Sequence, residues 1–297
     1  MTPSVHALFD DITSTLTYVV FDPSTLDAVV IDPVLDYDSA SSEIWTASVD
    51  KLETFIRERK LKLHYCLETH AHADHLSGAQ ELKKRFAGLP LAIGERITVV
   101  QNVFKKIYNL PEDFIPNGKQ FDRLLKENEV LRAGSLEIKT LYTPGHTPAC
   151  VSYLIGDAVF TGDAIFMPDT GTGRCDFPKG SSSDLYDSIT QKIYTLEDRT
   201  RLFVGHDYQG GGMRGPAWES TVGDQKAKNI QIPAGISKHD YIQMRDRRDA
   251  TLSVPRLLLA SLQVNIDGGR LPRPEDNGTS YIKVPLSIRA KPPLRDI

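Results

Sequence analysis

The sequence is poor in cysteine, with Cys66, Cys150 and Cys175 as the only three in 297 residues. They have neither zinc-finger spacing nor that of a disulfide framework, which fits a reducing compartment. A strong charge of either sign is also missing. The chain has 35 basic and 39 acidic residues and a formal net charge of −4, so charge gives no general case for nucleic acid or an anionic membrane as partner. No apolar run approaches the length of a membrane span. The opening MTPSVHALFDD has no basic region and no apolar stretch of a secretory signal, so a cytoplasmic location is expected. There is no fixed-period repeat, low-complexity segment or linker. With 40% apolar and 25% charged residues, the composition is that of a soluble globular protein, built as one large α/β domain or two small ones.

Residues 16–21 (LTYVVF) and 28–31 (AVVI) read as β-branched strands separated by the turn residues Asp22-Pro23-Ser24. Val49, Leu52, Phe55 and Ile56 recur at helical spacing and predict a helix over 48–60 with Ser48 as N-cap. It feeds an apolar strand, 61–67, followed by a helix-like segment, 76–86. Helix-like residues 95–108 end near Pro111, and Pro116-Asn117-Gly118 marks a loop. Two strands are expected within 129–143, a hairpin over 151–155 and 158–161, a helix over 184–196 and a strand over 201–204. Gly210-Gly211-Gly212 opens a flexible loop before a helix from about 217 to 230. Ser237 and Asp240 are spaced as a capping-box variant for a helix over 237–252. The tail carries Pro255, Pro272, Pro274 and Pro285, with short apolar pieces between them.

The chemistry concentrates at His70-Ala71-His72-Ala73-Asp74-His75, three histidines and a carboxylate within six residues, where a strand gives way to a helix. Alternate residues of an extended segment share a side, so His70 and His72 can face one centre. Asp74 and His75, at the turn, can face a second point nearby. Imidazole with carboxylate suits zinc, iron or manganese rather than calcium. Downstream, His146 lies in TPGHTPA, Asp163 in TGDAIF and His206 in VGHDY. Four strand ends thus each present a metal-type side chain, which is a stronger signal than any one motif.

The H-x-H-x-D-H run and these downstream motifs resemble those of the metallo-β-lactamase superfamily. The specific pattern is similar to the bacterial persulfide dioxygenases, relatives of glyoxalase II, from about residue 6 to the C-terminus. The resemblance implies an αββα sandwich, two mixed β-sheets flanked by helices. It implies one such domain over 1–297, with a helical and tail extension from about 210. It also implies one Fe(2+) per chain held by His70, His146 and Asp163, the two-histidine, one-carboxylate set that leaves positions open for sulfur and O₂. His72, Asp74, His75 and His206 would complete a two-metal site, as in glyoxalase II, with a zinc or iron pair. In a one-iron enzyme they would orient ligands and move protons, with Asp74, His75 and His206 as the catalytic groups. The implied reaction oxidises glutathione persulfide with O₂ to sulfite and glutathione. Its rival is hydrolysis of a glutathione thioester at two metals.

Gly171-Thr172-Gly173-Arg174-Cys175-Asp176-Phe177 resembles the dioxygenase pattern around an Arg-x-Asp-Phe core. Arg174 and Asp176 are expected to fix a loop over the site, and Cys175 to be a packing residue rather than a nucleophile. Glutathione carries two carboxylates, so basic side chains should line one wall. Arg174, Arg214 and Lys283 are the candidates, with the run Arg245, Arg247 and Arg248 as another. A homo-oligomer and a rhodanese-type sulfurtransferase partner are further expectations from the resemblance.

Overall fold

A computed structural model describes residues 2–286. The chain opens with three antiparallel strands, β1 (Ser4–Asp10), β2 (Thr15–Phe21) and β3 (Asp27–Ile31). A small hairpin follows, β4 (Val34–Asp38) and β5 (Glu43–Trp45), then helix α1 (Ala47–Glu58) and strand β6 (Lys62–Leu67). Next come β7 (Leu76–Ser77), α2 (Ala79–Arg85), β8 (Leu91–Gly94), α3 (Ile97–Ile107) and β9 (Arg123–Leu125). The first sheet has the order β1-β2-β3-β6-β8-β9, and β3, β6, β8 and β9 run parallel.

The second half begins with β10 (Val130–Ala133), β11 (Leu136–Tyr142), β12 (Val151–Ile155) and β13 (Ala158–Phe160). Helix α4 (Ser182–Ser188) runs into a wide turn over Ile189–Ile193 and leads to β14 (Arg201–Phe203). The short turn α5 (Gln209–Gly212), strand β15 (Glu219–Thr221) and helices α6 (Val222–Lys228), α7 (Lys238–Asp249) and α8 (Leu258–Asn265) complete it. The second sheet, β10 to β15 in chain order, is antiparallel except for the β13–β14 pair.

Alternation along the strands explains the layering. Leu16, Tyr18 and Val20 of β2 and Val29 and Ile31 of β3 point into a core shared with Ile138, Tyr153, Phe160 and Phe203 of the second sheet. Their neighbours Val19, Ala28 and Val30 point the other way, onto Val49, Leu52 and Ile56 of α1 and Leu82 of α2. Leu185, Ile189 and Tyr241 close the far face of the second sheet. The architecture is the expected αββα sandwich.

Several boundaries differ from expectation, each for a tertiary reason. Ser48 is not the N-cap of α1; that position is Thr46. Ser48 instead gives its N–H and hydroxyl to the Asp36 carboxylate of β4, at 2.9 and 2.7 Å, so a distant acid serves the helix start. Leu76 and Ser77 pair with β4 as β7, which delays the next helix to Ala79. The helix expected from 217 begins at Val222, because Glu219–Thr221 adds an edge strand to β14. Thr221 then caps α6 by accepting the Asp224 N–H. Ser237 caps α7 through the Asp240 N–H, as its spacing implied. The first strand, the β4–β5 hairpin, β8, β9 and α8, the last within the proline-rich tail, were not anticipated.

Candidate metal centre

The C-terminal ends of β6, β11, β13 and β14 converge on one edge of the sandwich. Backbone bonds stitch the two sheets there: Val151 N–H to Thr69 C=O at 3.0 Å and Leu16 N–H to Gly205 C=O at 2.9 Å. The Tyr153 hydroxyl adds a bond to Glu68 C=O at 2.7 Å. His70, His72, His75, His146, Asp163 and His206 are all buried. Ligand atoms of His70, His146 and Asp163 lie within 4.8 Å of one another, as do those of His72, Asp74 and His75. His206 Nε2 stands between the groups, 3.0 Å from Asp74 Oδ2 and 3.4 Å from Asp163 Oδ1. All seven residues singled out in the sequence therefore meet.

The surroundings select which ring nitrogen each histidine offers. His146 Nδ1 donates to Arg174 C=O at 2.7 Å, and His75 Nδ1 to Leu76 C=O at 3.0 Å. His70 Nδ1 lies 3.0 Å from Thr69 Oγ1, whose own proton goes to Asp32. In each case Nε2 keeps its lone pair. His72 differs. Its Nε2 lies 3.0 Å from Asp32 Oδ1 and 3.4 Å from Glu68 Oε2, and Nδ1 has no partner among the described residues.

Charge follows burial. Burial first, then the neighbouring histidines, hold His70 well below the usual imidazole range, and the same causes take His75 down to about 4. Both are neutral near pH 7, the form that binds metal. Burial opposes charge on His206 as well, yet Asp163 and Asp74 raise it. Burial lifts Glu68 to about 7 despite His72 and Ser77 beside it.

Buried polar atoms ordinarily find partners. Here Asp74 Oδ2, His75 Nε2, Asp163 Oδ1 and His206 Nε2 have no hydrogen bond among the described residues. Orphans of both donor types, aimed into one buried space, fit a transition-metal centre in residue type and in placement. The seven residues can hold one ion or two.

A cavity of about 300 Å³ opens beside His146, Asp163 and Asp74. Phe166, Leu252 and Pro255 give it apolar wall, and Tyr208 lies parallel to the His206 ring at 6.0 Å. Of the expected basic wall, Arg174, Arg245 and Arg248 line this cavity. Arg174 is fastened to both oxygens of Asp176, at 2.6 Å each, and to Ser253 C=O at 2.7 Å. Arg214 lies elsewhere, with its guanidinium spent on Asp169 and Asp207. Lys283 lines a separate cavity and donates to Asn109 C=O. Cys175 is buried, with its thiol pushed up by burial out of the nucleophile range.

Supporting residues came from places the motifs did not mark. Asn265 of α8 donates to the carbonyls of His72 and His75, at 2.8 Å each, and accepts the Ser77 N–H at 2.8 Å. One tail side chain thus clamps the whole metal loop. Asp32, Glu68, Gln231 and Asp249 are equally unmarked; the only local signal was the apolar run around residue 260, which reads as a helix if its length is weighted over the prolines.

Residues 11–206 match the metallo-beta-lactamase superfamily as a family. A beta-lactamase hydrolase-like protein of Xylella fastidiosa is 47% identical over 96% of this chain, and the chain spans 65% of that relative's length. Glyoxylase B2 of Dictyostelium discoideum is 46% identical over 91% of this chain and 92% of its own. The human mitochondrial persulfide dioxygenase ETHE1 is 31% identical over 81% and 79%. The crystal structure of ETHE1 from Myxococcus xanthus superposes with a TM-score of 0.71, at 31% identity, over 90% of this chain and all of that one. With the sandwich, the strand-end donors and these relatives in agreement, the chain belongs to the metallo-β-lactamase superfamily.

Proposed function

We propose that the protein is an iron-dependent persulfide dioxygenase that converts glutathione persulfide, O₂ and water to sulfite and glutathione. The observation that carries this reading is the buried His70–His146–Asp163 set, open to the cavity on one side, in a chain similar to persulfide dioxygenases along most of its length. An iron bound there would supply electron exchange with O₂ and open positions for sulfur.

The chain's own residues supply the rest. The Arg174 carbonyl holds His146 in one tautomer and one orientation. Phe166, itself buried, packs against the half-exposed Tyr208 and gives the cavity an aromatic wall beside His206. His206, raised toward the charged form by Asp163 and Asp74, can hold a proton at Nε2 beside the Asp74 carboxylate, 3.0 Å away. Among cavity-lining cations, Arg248 has no ion-pair partner among the described residues, whereas Arg174 and Arg245 are committed. We assign it the pairing with a glutathione carboxylate. Arg248→Ala should raise KM for glutathione persulfide about tenfold, as expected for a charge-assisted bond, with kcat little changed. Steady-state O₂ uptake reads both constants, and an unchanged KM would remove Arg248 from the wall.

The deciding experiment is O₂ uptake by anaerobically iron-loaded protein given glutathione persulfide. Uptake that vanishes in His70→Ala and in Asp163→Ala supports the dioxygenase. No uptake with iron demonstrably bound rejects it. A hydrolase of glutathione thioesters is the second reading. It is favoured by the complete second donor set and by the 46% identity to a protein named Glyoxylase B2. That reading requires two metals per chain by elemental analysis and cleavage of S-lactoylglutathione.

A further inference from the structure

His146 owes its orientation to a backbone carbonyl, that of Arg174. Arg174 lies outside any helix or strand, so something else must hold that carbonyl still. Both neighbouring stretches of backbone are fastened to one helix. On one side, Thr172 C=O accepts from Arg245 Nη1 at 3.1 Å, while the Thr172 N–H and hydroxyl go to Gln231 Oε1 at 2.9 and 3.1 Å. On the other side, the Cys175 N–H donates to Asp249 Oδ2 at 2.7 Å. Arg245 and Asp249 stand one turn apart on α7. They are joined through Asp249 Oδ1, at 2.9 Å from Nε and 2.6 Å from Nη2. Arg245 Nη1 also donates to Gln231 Oε1 at 2.9 Å. Arg245 is 1% exposed and Asp249 6%. Each Asp249 oxygen has a separate task, one toward the arginine and one toward the loop.

We propose that the Arg245–Asp249 pair is a positioning element for metal binding, fixing His146 from α7 through the backbone of residues 172–175. A buried ion pair is a poor source of stability, since well-packed apolar residues commonly do as well. It can do here what apolar residues cannot, which is to satisfy a buried carbonyl at Thr172 and a buried N–H at Cys175 together. The loop also passes close to a ligand: a Cβ at Gly173 would sit 2.0 Å from Asp163 C=O, so only glycine fits between the ligands. The inference rests on the metal-centre reading and holds for either reaction.

The test measures metal affinity rather than turnover. Metal-free wild type, Asp249→Asn and the double variant Arg245→Met/Asp249→Leu are titrated with Co(II) against a competing chelator. In Asp249→Asn an NH₂ group must oppose either the Cys175 N–H or Arg245. The double variant keeps an apolar, packed α7 while releasing the loop. Both should bind 10- to 100-fold more weakly, the loss typical of groups that orient a metal-ligating histidine, with a changed Co(II) visible spectrum and unchanged far-UV dichroism. Wild-type affinity and spectrum in either folded variant overturns the proposal. Should neither variant fold, coupling is read in the wild type, because it is reciprocal. Metal loading must then slow hydrogen exchange of the Thr172 and Cys175 amides at least tenfold, and exchange rates that ignore the metal overturn it. Wild type that binds no metal would instead strike at the metal centre itself, a result distinct from failed O₂ uptake.

Discussion

Asp163→Asn should give a chain that is more stable than wild type without metal and less stable with it. The carboxylate lies 3.6 Å from His146 Nε2 and 4.0 Å from His70 Nε2 through one oxygen, and 3.4 Å from His206 Nε2 through the other. Where Nδ1 is the protonated nitrogen, as at His146, the Nε2 facing Asp163 is a lone pair, so the metal-free site sets acceptor against acceptor. An asparagine amide in the place of Oδ2 would donate toward those lone pairs while its carbonyl keeps the place of Oδ1 toward His206, and relief of the clash between acceptors is worth roughly 1–3 kcal/mol. With metal the order reverses, since a ligand that binds only the folded state stabilises it in proportion to its affinity. The loss of an anionic donor should exceed the 10- to 100-fold cost of losing a supporting residue. O₂ uptake should fall to background. Thermal melts with chelator and with iron, beside elemental analysis, check all three statements. A metal-free variant that melts well below wild type would mean that Asp163 is a structural acid, and the metal assignment would have to be abandoned.

The second large effect is expected at Gly145, the residue before His146. Its φ is +145°, and a Cβ there would meet the Leu185 Cβ, Cα and N at 2.3, 2.4 and 2.6 Å. Two of those atoms are backbone of α4, so relief requires the helix or the ligand loop to move. The Gly145 C=O also accepts the Ser181 N–H at 2.8 Å, at the N-cap of that helix. Gly145→Ala combines an unfavourable backbone conformation with overpacking, for a loss of about 3 kcal/mol or more. Gly88→Ala is the control: φ is +78° and no atom of the described residues lies within 4 Å of the added Cβ, so only the backbone cost of about 1–2 kcal/mol remains. Urea unfolding at constant m-value separates the two, and equal midpoints would show that the ligand loop is softer than its packing implies.

The donors themselves were legible in the sequence because strand-to-loop transitions carry a local signature. Each of His70, His146, Asp163 and His206 follows an apolar run by a few residues, and the structure brings all of them to one edge of the sandwich. β2 and β3 were likewise legible as β-branched runs, though not which face each residue takes, because both faces are buried. What could not be read is long-range satisfaction. Asn265 is 193 positions from the His72 carbonyl it holds, and Asp249 is 74 from the Cys175 N–H. No local pattern encodes which of many polar tail residues will turn inward. The basic wall was legible only in part for the same reason: Arg174, Arg245 and Arg248 line the cavity, and Arg214 and Lys283 do not. Arg214, Lys283 and Arg248 look alike in one dimension, and only neighbouring acids and carbonyls distinguish a spent guanidinium from an available one. Ser48 shows the converse error, where a good local cap was displaced by a carboxylate twelve residues upstream.

The order of the donors along the chain has a consequence for how the protein is made. His70 to His75 belong to the first half, whereas His146, Asp163 and His206 belong to the second, and His206 bridges back to Thr15 at the start of β2. During synthesis, with the N-terminal part folding first, the His70–His146–Asp163 set is incomplete until residue 163 has left the ribosome, and the second group lacks its neighbour His206 for longer. Asn265, which clamps the first cluster, emerges later still. A chain stalled before residue 163 therefore lacks one member of that set, and one stalled before residue 265 lacks the side chain that clamps the first cluster.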